Sequence, residues 1–83
     1  MTNNTVMTYA LAEKAKIEEN IKWSRGREDD ATDRVNAYMS KPNRDDYSAE
    51  IKKQTDKVKT HRAGRKQLEL ELAQVELAIA NMA

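Results

Sequence analysis

The chain has 83 residues, 15 basic against 14 acidic, and no cysteine; a chain this short buries only about 60–65% of its unfolded surface, so it forms one domain with a small core. The missing cysteine excludes disulfide frameworks, thiolate zinc centres and cysteine nucleophiles together. A net charge of +1 is too balanced to argue for nucleic acid or an acidic membrane by itself, and a protein partner becomes the default expectation.

The opening residues, MTNNTVMTYALA, carry no basic leader and no sustained apolar stretch, so neither a signal peptide nor a spanning helix is predicted. That fits a cytoplasmic protein, or one exported without a cleavable signal. From about residue 5 to 40 the spacing predicts a helix. Met7, Ala10, Lys14, Ile17, Ile21, Ser24, Glu28, Ala31, Val35 and Tyr38 follow alternating steps of three and four, a heptad seam.

Within that arm lies NIKWSRGREDDATDRV, Asn20 to Val35, with the only tryptophan, one of the two glycines and a dense mixture of charges. It supports two readings. Either it is a polar layer inside a continuous seam, or SRGREDD interrupts the helix near 24–29 and Asp29 or Asp30 caps a new segment.

The only proline, Pro42, sits among turn formers in SKPNRDDYS. Proline disfavours helical geometry at the residue before it, so the first helix should stop near Ser40 or Lys41, with a corner at 41–47. Asp45, Asp46 or Ser48 can then cap a second helix over about 48–82. Its seam is Ile51, Gln54, Val58, His61, Arg65, Leu68, Leu72, Val75, Ile79 and Met82, and LELEL continues this helical pattern rather than forming a strand.

Two patterned arms joined by a short corner predict an all-α protein: a long antiparallel helical hairpin, dimerising into a four-helix bundle. With the corner centred near Arg44, residues whose numbers sum to about 88 should lie side by side, on legs of roughly 50 Å. Ser24 and Glu28 then meet His61 and Arg65. Such a polar layer costs stability but penalises slipped pairings, which would set charge against leucine.

Glu28, Asp29, Asp30 and Asp33 opposite the single His61 also invite a metal reading, but the spacing lacks a calcium-loop turn and zinc needs at least three good ligands. No metal, cofactor or catalytic residue is expected. A second histidine and a glycine-rich phosphate loop are both missing, and a two-helix hairpin offers little concavity for shifting carboxylate pKa values.

Two surface features remain. Leu70, Ala73, Leu77 and Ala80 recur on a different side of the second arm from its seam, and Tyr9, Ala12 and Trp23 fall off the seam of the first. Leu70, Ala73, Leu77 and Ala80, with Tyr9 and Trp23, are the expected interaction face. Between Tyr47 and Gln67, seven lysines and arginines oppose two acids, a balance of +5, and Lys52, Lys53, Lys57, Lys59, Arg62 and Lys66 make a basic face. Acids of the neighbouring arm could compensate that face; phosphate binding is the alternative.

The segment KPNRDDYSAE, Lys41 to Glu50, resembles the small helical-hairpin subunits of type III secretion needles, which share the length, a proline-containing corner with an alanine and an acid after it, and an apolar C-terminal arm. The single proline and the charged middle depart from that pattern. Small phage proteins that inhibit or remodel a host complex share the same profile. The expected function is a non-catalytic helical interaction module, acting as an assembly subunit, adaptor or inhibitor on a protein partner or on itself. A needle-like subunit or chaperone, and a nucleic-acid-binding helical protein, are the alternatives.

Overall fold

The computed structural model describes residues 2–82, the side chains of 2–4 excepted. Two helices account for nearly all of it: α1 (Thr2–Met39) and α2 (Ser48–Met82), packed antiparallel in a rod of 65 × 14 × 14 Å. The described chain is an all-α hairpin.

Every seam position of both arms is buried or half-buried. The most enclosed are Ile17, Ile21, Ser24, Glu28 and Ala31 on α1 and Gln54 on α2. The apolar core is thus short, with half-buried leucine, valine and isoleucine extending it toward the open end. Cross-helix partners fall within two turns of the sequence register: Glu28 meets Arg62 and Arg65, and Arg25 meets Glu69.

α1 starts at Thr2, three residues before the predicted start, and runs unbroken through Gly26. The interruption near 24–29 does not occur. Glycine in a helix interior costs about 1 kcal/mol relative to alanine, whereas Ile21, Ser24, Glu28 and Ala31 all bury the same side of the helix on either side of it. Continuity keeps that side in register, and the penalty is outweighed.

The corner differs from expectation in its capping. α1 ends at Met39, and Ser40 donates from both its amide and its hydroxyl to the Asn36 carbonyl, at 3.1 and 2.8 Å. A 3-10 turn, Arg44–Tyr47, then winds directly into α2. Ser48 is already in helical geometry, and Asp45 and Asp46 lie inside the 3-10 turn, so the turn's own Asn43–Asp46 backbone bond of 2.9 Å does what a side-chain cap would have done. Tyr38 and Tyr47 close the corner with ring centroids 5.1 Å apart, and Lys41 sits over the Tyr47 ring at 5.5 Å.

Candidate interaction surface

The polar layer lies beneath the surface and fixes which sides of the helices face out. Glu28 is buried on α1, and its two oxygens are divided between two arginines of α2. Arg62 Nε donates to Oε1 at 2.6 Å, and Arg65 Nη2 lies 3.2 Å from Oε2. Arg65 also reaches Glu69 at 3.5 Å, and Glu69 lies 3.6 Å from Arg25. Charges therefore alternate across the seam from Arg62 through Glu28, Arg65 and Glu69 to Arg25. The hydrogen bond from Arg62, with the nearby charges of Arg65, Arg62 and Arg25, holds the Glu28 carboxyl below its ordinary pKa although desolvation pushes the other way.

Of the four residues assigned to the layer from sequence, Ser24 is buried beside this network and His61 stands apart from it. His61 packs edge-on against Trp23, with centroids 6.0 Å apart and planes at 79°. Arg27 covers the Trp23 ring at 4.8 Å. Arg62, placed by sequence on the solvated basic face, is instead the shortest ion-pair partner of Glu28. Its length allows this: the residue flanks the seam, and an extended guanidinium spans the remaining distance.

The outer surface follows from helix periodicity. Leu70 lies two residues from both Leu68 and Leu72, and Leu77 two residues from both Val75 and Ile79, all half-buried seam positions. Each leucine thus points directly away from α1. Leu70 is 62% exposed and Leu77 64%; Ala73 and Ala80, also exposed, lie beside them. On α1, Tyr9 is 72% exposed and Trp23 57%. The structure does not unite these six residues in one surface, because Tyr9 and Trp23 sit on the outer flank of α1 and the leucine stripe on the outer side of α2.

Lys52, Lys53, Lys57, Lys59, Arg62 and Lys66 are all exposed. Among them only Arg62 takes part in an ion pair within the described residues, so the acids of α1 do not compensate the lysines within one hairpin. Asp29, Asp30 and Asp33 are exposed on α1 and likewise make no ion pair among the described residues. Among these residues no group of three His, Asp or Glu side chains is arranged to hold a metal ion, and no helix is long and apolar enough to cross a membrane. Comparison with protein families, curated proteins and solved structures finds no match to the chain.

Proposed function

We propose that the protein is a non-catalytic helical interaction module that docks through the outer side of α2. The observation carrying this reading is the leucine stripe: two leucines more than 60% exposed, two turns apart, on the side of α2 that points directly away from α1. Helices apolar on two sides are ordinarily buried on two sides. Ala73 and Ala80 between and beside the leucines let a second helix come close. Completing the burial of both leucines is worth about 2–4 kcal/mol, given that each is already partly covered. A helix from another chain fits this stripe, and a second hairpin docked there makes a four-helix bundle.

Leu70→Lys combined with Leu77→Lys is expected to separate the assembly while leaving circular dichroism helical, because neither side chain enters the seam. Sedimentation equilibrium on parent and variant measures it. A parent that stays monomeric and retains no protein partner in a pull-down refutes the reading, and loss of helix in the variant would reassign the stripe to the hairpin's own core.

A further inference from the structure

Lys57, one of the exposed lysines of α2, borders a hollow of about 300 Å³ between the two helices. Trp23, Arg27, Asp30 and Arg34 line it from α1, and Lys57 and His61 from α2. It opens on the flank of the seam opposite to Arg25, since Trp23 and Arg25 leave α1 on either side of buried Ser24. The two flanks treat their cations differently. Arg25 has Glu69 at 3.6 Å, and Arg62, across the seam on that flank, has Glu28 at 2.6 Å. Around the hollow, Arg27, Arg34 and Lys57 have no ion pair or hydrogen bond among the described residues, and neither has Asp30, the one acid that lines it.

Trp23 adds a flat apolar surface to this positive hollow. It is 57% exposed, yet two neighbours hold it: His61 packs edge-on at 6.0 Å, and Arg27 lies over the ring at 4.8 Å. A ring held in this way loses little freedom when a second ring stacks on it. Arg34 and Lys57 reach the hollow from different helices, so an anion there is gripped from two sides. The volume lies at the small end of ligand sites, a scale that suits a single planar base with its phosphates.

We infer that this hollow binds a nucleotide, its base stacked on Trp23 and its phosphate oxygens held by Arg34 and Lys57. Every base offers a π face to an exposed aromatic ring, and arginine and lysine neutralise phosphates whatever the sequence. A free nucleotide and a nucleotide unit of a single strand present the same base and phosphate to these residues. A carboxylate-rich peptide would satisfy Arg34 and Lys57 alone and leave the tryptophan unused. The site is independent of docking through α2, because Leu70 and Leu77 point directly away from α1 whereas the hollow lies where the helices meet.

Trp23 is the only tryptophan of the chain, so its fluorescence reports on the hollow directly. Three probes are titrated into the intact protein: a mixed-sequence single-stranded oligodeoxynucleotide of about ten nucleotides, ATP, and a polyglutamate peptide matched in charge to the oligonucleotide. Saturable quenching by the oligonucleotide or by ATP is expected. For the strand, log affinity should fall against log salt with a slope of about −1.4, roughly 0.7 for each of two phosphates. Arg34→Glu with Lys57→Glu should weaken binding roughly tenfold or more. Asp30→Asn should tighten it, a gain that damage to the fold does not produce. All three positions are exposed, and circular dichroism checks that helix is retained. Quenching by the strand and not by ATP assigns the site to single-stranded nucleic acid, and equal or tighter binding of ATP assigns it to a free nucleotide. Equal quenching by polyglutamate, an affinity unmoved by the double charge reversal, or no quenching by either nucleotide probe overturns the site. Docking through the leucine stripe is read by sedimentation and does not enter these outcomes, so the two readings fail separately.

Discussion

Ile17→Ala is expected to remove much of the hairpin's stability. Ile17 is 4% exposed, and among the described residues only Ile21 and Ala31 accompany it as buried apolar residues. Cutting a buried isoleucine to alanine costs about 2–5 kcal/mol through lost burial and the cavity left behind. Typical stability per residue gives a chain of this length about 4–12 kcal/mol in total. Two helices supply few neighbouring side chains to collapse into the gap, which favours the upper part of the first range. The measurement is a urea titration followed by circular dichroism, carried out with Leu70→Lys and Leu77→Lys present so that association does not add concentration-dependent stability. A midpoint indistinguishable from that background would show that the core does not lie at Ile17.

A second large effect is expected at Glu28. Glu28→Leu leaves Arg65, whose side chain is only 20% exposed, without its carboxylate, while the buried Nε of the same guanidinium has no acceptor among the described residues. A drop of several degrees in Tm is the expected result. Glu28→Leu with Arg65→Leu should recover most of that loss or exceed the parent, since replacing a buried ion pair by apolar side chains is often neutral or stabilising. Arg62, more than half exposed, can return to water. Additive losses in a double-mutant cycle would show that the two positions are not coupled. Acid should act in the same direction as Glu28→Leu. The folded-state pKa of Glu28 is lowered below its unfolded value of about 4.3, so the contribution of the carboxylate is complete above that value. It falls away as pH drops toward the lowered pKa.

Much of this architecture is legible in the residues. Alternating steps of three and four place Ser24, Glu28, Gln54 and Arg65 inside the seam despite their polarity, and the structure encloses or half-encloses all four. Periodicity reports the direction in which a side chain leaves the helix, whatever its chemistry. It does not report how far a long side chain travels afterwards. Arg62 and Glu69 flank the seam, and the length of their side chains lets them reach Glu28 and Arg25. Trp23 was legible as lying off the seam, but its edge-on contact with His61 and the Arg27 guanidinium over its ring depend on side-chain rotamers that spacing does not report. The corner was legible in place and not in detail: Pro42 and its neighbours mark a turn, while the choice between a side-chain cap and a 3-10 turn rests on small backbone differences.

The paired tyrosines at the corner bear on how the rod forms. Tyr38 and Tyr47 meet across a short stretch of chain, whereas Tyr9 and Ala80, level with each other at the far end, are separated by most of the sequence. The entropy lost in closing a loop rises with the length of chain enclosed, so the first crossing between the helices is cheapest where the tyrosines meet. Once it is made, each further pair of seam residues closes only a small additional step. Loop-closure entropy therefore favours assembly from the corner toward the open end. The apolar outer residues Tyr9, Leu70 and Leu77 lie on the part of the rod that closes last, the part whose order gains most from a neighbouring molecule.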